Sequence, residues 1–255
     1  MSSKKKELSF SLSDLNILIL GAKLGIGASL ARICGEQDAN VILVDKEEPI
    51  ELADNLRQLA VANIVTYGCD ISNRDAVESL AAELSQRNYA PHSVALTAGI
   101  TFYNDWQETD NATWDRDVEQ IFNVNLSGPI NVARSFLPIM EKNNWGRMVL
   151  VGSIAGRMGG LTSQPHYAAS KGGVHSLTRW LASKYAPSGV LVNAVAPGPT
   201  KTRMTEGRSI DTSKLPLRRM LDPEDIAWPI AFLLSPAAAG MVGVVLDVNG
   251  GATFS

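Results

Sequence analysis

Seven short runs of aliphatic and β-branched residues recur along this 255-residue chain, separated by segments long enough to form helices. The runs are Ile17 to Leu20, Val41 to Val44, Ile64 to Tyr67, Val94 to Thr97, Met148 to Gly152, Val190 to Val195 and Val244 to Val248. Apart from Asn193 and Asp247 the runs are largely continuous rather than alternating, which is the pattern of strands covered on both faces. Helical spacing spans Gly25 to Glu36, Pro49 to Ala60, Arg74 to Arg87, Thr113 to Asn143, His166 to Tyr185 and Pro223 to Leu234. This alternation predicts an α/β architecture: one doubly wound, seven-stranded parallel sheet with helices on both faces. No linker or repeat divides the chain, so a single domain is expected over residues 15–255, behind a flexible N-terminal tail at 1–14. The segment 199–222 lacks strand pattern and is broken by proline and glycine, so it reads as a lid-like insertion.

Composition narrows the function classes. With 45% hydrophobic and 19% charged residues the chain can bury a large core. Its 23 basic against 26 acidic residues give a net charge of −3, without the basic field that nucleic acid would require. No apolar run has the length of a membrane span. The opening MSSKKKELSFSLSD has no apolar block of signal-peptide type, and two cysteines, Cys34 and Cys69, are too few for a disulfide framework or a zinc site. A cytoplasmic protein without nucleic-acid or membrane partners is the expectation. The three histidines have no metal-ligand spacing, and His166 reads equally as a pocket or a packing residue. The five tryptophans read as core or interface anchors.

The first apolar run leads directly into Gly21-Ala22-Lys23-Leu24-Gly25-Ile26-Gly27 and then a helix. Glycines suit this turn because the backbone must adopt permissive dihedrals and approach a pyrophosphate resting on the helix N-terminus, as in a Rossmann domain. Asp45 ends the next run, 18 residues after Gly27, where a carboxylate can accept both ribose hydroxyls of an adenosine and repel a 2′-phosphate. That favours NAD over NADP; the competing reading makes Asp45 a solvated residue opening a turn. Asp70 follows the third run and is either an adenine contact or part of a helix N-cap. Tyr167 and Lys171 are spaced i, i+4, which puts both on one helix face. Ser153 lies 14 positions upstream at the carboxyl end of a strand, where such sheets open onto a ligand crevice.

Taken jointly and in this order, the motifs resemble the short-chain dehydrogenase/reductase family over nearly the whole chain, about Asn16 to Gly251. They are the glycine turn, Asn-Val-Asn-Leu-x-Gly ending at Gly128, Ser153, Tyr-x-x-x-Lys, Asn193-Ala-Val-Ala-Pro197-Gly198 and the closing Asn249-Gly250-Gly251. The resemblance implies that Tyr167 is the general acid/base, that Ser153 binds the substrate oxygen, and that Asn125 anchors a relay water. Lys171 would hold the nicotinamide ribose and lower the tyrosine pKa. Bringing a phenol from about 10 to about 7 takes roughly 4 kcal/mol, which a buried ammonium and a cationic nicotinamide can supply. Cofactor contacts fall at Gly21, Gly25, Ile26, Gly27, Asp45, Asp70, Ile71, Ala98, Gly99, Tyr167, Lys171, Pro197, Gly198, Thr200 and Thr202, with no metal.

The implied reaction is NAD-dependent interconversion of a secondary alcohol and a ketone. The runner-up is an NADPH-dependent 3-oxoacyl thioester reductase, which Lys23 and Lys46 keep in view. A non-catalytic dinucleotide sensor or subunit is the alternative from another class. A homotetramer is also implied, with long helices and the segment Ala252 to Ser255 at its interfaces. Two departures stand out. Leu20 replaces a threonine that usually braces the glycine turn, and Leu96-Thr97 replaces two asparagines, with Thr97 placed to take over part of their bonding. From Lys201 to Arg219 the lid carries Lys201, Arg203, Arg208, Lys214, Arg218 and Arg219 against Glu206 and Asp211, a local excess of six minus two, or +4. Such an excess can receive an anionic substrate group, contact the cofactor pyrophosphate or be solvated.

Overall fold

The computed structural model describes residues 10–254 apart from 60, 62, 161 and 162. The strands are β1 (Asn16–Leu20), β2 (Asn40–Asp45), β3 (Ile64–Gly68), β4 (Ser93–Leu96), β5 (Gly146–Val151), β6 (Val190–Pro197) and β7 (Val245–Val248). They form one sheet in the order β3-β2-β1-β4-β5-β6-β7, parallel throughout. The chain winds outward from β1 in one direction and then returns to continue at β4 in the other. The carboxyl ends of β1 and β4 therefore flank the switch point where such sheets bind ligands.

The period of two along each strand sends alternate side chains into two cores. Leu18, Leu20, Ile42 and Val44 face α3 (Arg74–Gln86), α5 (Gly128–Lys142) and α7 (Pro165–Tyr185), packing with Leu84, Phe136 and Leu181. Ile17, Ile19, Val41 and Leu43 face α1 (Gly25–Glu36), α2 (Ile50–Gln58) and α8 (Pro223–Leu234), packing with Leu30, Ile33 and Ile230. All eight residues of β6 are buried, which is why that run carries no polar alternation.

Helix starts follow local chemistry. Asn73 accepts from the Ala76 N–H to begin α3, and Asp110 accepts from the Thr113 N–H to begin α4 (Asn111–Phe122). Asp222 precedes Pro223 at the start of α8. Asp70 is thus not the cap of α3.

Three expectations need correction. The helix read over Thr113 to Asn143 is two α-helices, α4 and α5, joined by a π-helical turn at Asn123–Ser127. Of the expected tail, residues 1–9 lie outside the described residues, but Leu12 and Phe10 anchor the remainder to the sheet side of the fold while Ser11, Ser13 and Asp14 are exposed. Leu12 is fully buried, and Phe10 stacks on Trp228 and Phe232 of α8. A short helix, α6 (Ala155–Met158), was not foreseen and ends at Gly159 with φ +84°. Ala60, the expected end of the second helix, and Ser255 also lie outside the described residues.

The segment 199–222 is irregular, with 3-10 turns at Arg203–Thr205 and Thr212–Lys214. Its base is closed by the bonds Leu221 N–H to Pro199 C=O and Lys201 N–H to Leu221 C=O. Among the described residues, no helix is long and apolar enough to cross a membrane, and no cluster of three or more His, Cys, Asp or Glu could hold a metal.

Candidate active site

β1 delivers the chain into a turn that has no room for side chains. Gly21 has φ +90°, and a Cβ there would lie 2.3 Å from the Ala98 nitrogen. A Cβ on Gly27 would lie 2.0 Å from the Gly21 carbonyl oxygen. The N–H groups of Gly21 and Ala22 both donate to Val44 C=O, at 2.8 and 3.0 Å. The Thr97 hydroxyl lies 3.0 Å from Leu20 C=O and 2.9 Å from Gly21 C=O, so Thr97 does brace this turn. Ile26 packs on the α1-side core. At the start of α1 no side chain caps the helix and no acid occupies the first turn. Those free N–H groups and the positive end of the helix face an anion's place.

Asp45 stands at the end of β2, accepting from the Lys23 N–H at 3.0 Å and the Lys46 N–H at 2.8 Å. The two neighbouring lysines are already paired: Lys23 with Glu47 at 2.6 Å and Lys46 with Asp70 at 3.0 Å. Asp70 also accepts from the Ser72 N–H and hydroxyl. Partial burial opposes ionisation of Asp70, but the bonds from Ser72 and Lys46 outweigh it and hold the carboxyl below its ordinary range. Ile71 is buried with its side chain against Gly128.

The turn after β4 passes beside the helix residues. Ala98 N–H donates to Leu20 C=O, and a Cβ on Gly99 would lie 3.2 Å from Lys171 Nζ. Asn125, in the π turn and 1% exposed, accepts from the Ile100 N–H and donates to Ile100 C=O, both at 2.9 Å. It also donates to the Ser170 hydroxyl. Pro129, four residues on, has no N–H to offer the Asn125 carbonyl as an uninterrupted helix would require. That proline was the available sequence signal for the interruption.

α7 presents Tyr167 and Lys171 together, with Lys171 Nζ 5.8 Å from the tyrosine ring centre. Lys171 is 4% exposed and donates to Val151 C=O at 2.9 Å. Burial pushes its ammonium down to about 8. Desolvation pushes the Tyr167 phenol up to about 12, against a hydrogen bond with the Ser153 side chain that lowers it and the nearby Tyr103, which raises it. Ser153 is fixed by accepting from the Ala155 N–H at 3.1 Å. Ser153, Tyr167, Lys171 and Asn125 thus meet beside the glycine turn. His166, by contrast, is buried edge-on against Trp114, with ring centres 5.1 Å apart.

β6 supplies the far wall. A Cβ on Gly198 would lie 2.6 Å from Asn249 C=O, so Pro197-Gly198 is held against the closing glycine motif. The Thr200 hydroxyl is buried and donates to Gly198 C=O. Thr202 lies against Gly25, its Cγ2 3.2 Å from where a Cβ would be. Leu24, Gly25, Thr202, Arg203 and Met220 line a cleft of about 610 Å³ between the glycine turn and the lid. The bare glycine cradle, the uncapped helix start, this cleft and the Asp45 carboxylate suit a dinucleotide. Tyr103 and the cleft-lining position of Arg203 were not singled out from sequence. Tyr103 had only one signal, an aromatic four residues after Gly99 in a post-strand loop.

Comparison with known proteins places the chain in a family. The family model described as enoyl-(acyl carrier protein) reductase matches residues 21–253. An acetoacetyl-CoA reductase from Synechocystis sp. is 34% identical over 249 residues, covering 95% of this chain and 98% of its own. A galactitol 2-dehydrogenase (L-tagatose-forming) from Cereibacter sphaeroides is 36% identical over 258 residues, covering 96% and 97%. The crystal structure of a 3-oxoacyl-[acyl-carrier protein] reductase with bound NAD from Brucella melitensis superposes with a TM-score of 0.86 at 28% identity, covering 100% of this chain and 97% of that one. The chain belongs to the short-chain dehydrogenase/reductase family, oxidoreductases that act on CH–OH and keto groups with NAD(P).

Proposed function

We infer that this enzyme interconverts a secondary alcohol and a ketone with NAD. The observation that carries this reading is the convergence of Ser153, Tyr167 and Lys171, with Lys171 Nζ 5.8 Å from the tyrosine ring centre and the Ser153 side chain acting to lower the phenol's pKa. Gly21, Gly25, Ile26, Gly27, Ala98, Gly99, Pro197, Gly198, Thr200 and Thr202 would shape the cofactor cleft, and Asp70 and Ile71 its adenine end. When bound, the cofactor supplies hydride acceptance or delivery at the nicotinamide ring.

The chain's own groups handle the proton. Ser153 donates to the substrate oxygen and orients it toward Tyr167, which gives a proton to a carbonyl oxygen or takes one from a carbinol. With a pKa near 8, Lys171 is charged at pH 7, and its ammonium favours the phenolate that oxidation requires. The Asn125 carbonyl, which Pro129 cannot engage, holds a water that passes the proton outward beside Lys171.

The sign of the pH dependence follows. Tyr167 is raised, so the phenol is protonated at neutral pH, which is the form that reduction consumes. Raising pH from 6 to 10 is expected to raise kcat/KM for alcohol oxidation, which draws on the scarce phenolate, and to leave kcat/KM for ketone reduction nearly flat, because a phenol held up to about 12 stays protonated across this window. Matched initial-rate profiles in the two directions check this; parallel profiles would contradict the role of Tyr167.

Support for NAD comes from Asp45 at the end of β2, whose carboxylate would repel a 2′-phosphate brought beside it. Fluorescence titration is expected to show NADH binding more tightly than NADPH. In Asp45→Asn the ratio should move toward NADPH by about 10-fold, since removing one like charge at close range is worth about 1.4 kcal/mol when largely solvated. Tighter NADPH binding by the wild type would favour the thioester-reductase reading, which the 34% identity to an acetoacetyl-CoA reductase keeps in play. We read the enzyme as a homotetramer of the cytoplasm: Ile130 on α5 and Trp180 on α7 expose apolar surface for assembly, and Cys34 and Cys69 are buried free thiols suited to a reducing compartment.

A further inference from the structure

Three of the six basic side chains between Lys201 and Arg219 are paired with carboxylates, and Arg203, Arg208 and Arg218 form no ion pair among the described residues. Lys201 pairs with Asp222 at 2.9 Å, Lys214 with Asp211 at 3.6 Å, and Arg219 with Asp225 at 2.6 Å. Arg203 lines the cofactor cleft and feels the charge of Glu47. Arg208 is placed differently. Its guanidinium carbon lies 3.5 Å from the centre of the Tyr103 ring, and it forms no ion pair among the described residues.

Tyr103 belongs to the loop that leaves Gly99 and Ile100, and its phenol stands close enough to Tyr167 to act on it electrostatically. The stack therefore bridges the lid to the wall of the catalytic site. A guanidinium stacked on a ring uses its flat face, and its N–H donors point outward in the plane. Gly207, at φ +72°, provides the turn in the lid immediately before Arg208.

We propose that the substrate carries a carboxylate, received by Arg208 on its Tyr103 platform, while its carbinol or carbonyl sits at Ser153 and Tyr167. This rests on the redox reading above and narrows its substrate class to hydroxy and oxo acids. The planar fork matches a carboxylate through two parallel hydrogen bonds. Stacking on Tyr103 restricts the side chain beforehand, so less freedom is lost when the anion arrives.

The test compares kcat/KM for hydroxy acids with that for their uncharged amides in the wild type, Arg208→Gln and Lys214→Gln. Lys214 is in the same lid but paired with Asp211, so its loss reports the general field alone. The acid-to-amide ratio is expected to be about 10 to 100 in the wild type, the range for a hydrogen bond to a charged group. It should collapse toward one in Arg208→Gln and persist in Lys214→Gln. A wild-type ratio near one, or equal losses in the two variants, overturns the proposal.

Binding without turnover separates this from the redox reading. Intrinsic fluorescence is titrated with butyrate and with butyramide. Butyrate binding that is lost in Arg208→Gln supports the anion site even if no alcohol in the panel is oxidised. Butyrate binding no better than butyramide overturns it even if neutral alcohols are turned over.

Discussion

Tyr167→Phe is expected to lower kcat by about 10³-fold, within the range that a positioned acid/base contributes. The substitution removes one oxygen, the atom that meets the Ser153 side chain, and leaves the ring in α7. Lys171 keeps its bond to Val151 C=O, and the glycine turn is untouched. NADH titration of the variant should therefore still report binding while steady-state turnover nearly vanishes. Retained turnover would move the proton transfer away from Tyr167. Retained behaviour in any cofactor-dependent signalling role would favour the sensor alternative.

Gly27→Ala is expected to damage the fold and the cofactor site together. The new methyl would stand 2.0 Å from Gly21 C=O and 2.7 Å from the Thr97 hydroxyl, and neither can retreat easily. The Gly21 carbonyl belongs to a turn pinned to Val44, and Thr97 is bonded to that same turn. Overpacking of this severity costs about 3 kcal/mol. At about 2–4 °C per kcal/mol for a chain of this size, Tm should fall by roughly 10 °C. A thermal melt followed by circular dichroism measures the fall, and NADH titration should show binding lost with it. An unchanged Tm would mean that the turn is looser than its distances indicate.

Much of the architecture was legible because a buried parallel strand leaves an unbroken aliphatic run, as Ile17 to Leu20 does in β1. The catalytic pair was legible for a similarly local reason: i, i+4 spacing places Tyr167 and Lys171 on one face of α7 whatever surrounds the helix. Legibility ended where contacts join distant segments. Leu12 looks like part of a polar tail, and only the α1, α2 and α8 side of the sheet gives it a core to enter. The π turn escaped because helical spacing in Phe122 to Met140 hides one extra residue per turn, although Pro129 marks the carbonyl left without its usual donor. The lid's excess of positive charge was visible, but its pairing was not. Asp222 and Asp225, which pair with Lys201 and Arg219, lie at its far edge and beyond it. Nothing in the spacing of Tyr103 and Arg208 shows that they stack.

The most direct test is absorbance at 340 nm with purified protein, NAD and a panel of secondary alcohols that includes hydroxy acids and their neutral analogues, run beside Tyr167→Phe. The expected result is NAD-dependent formation of reduced cofactor by the wild type that is nearly absent in the variant. Equal rates in the two proteins, or turnover with NADP alone, would contradict the roles assigned to Tyr167 and Asp45.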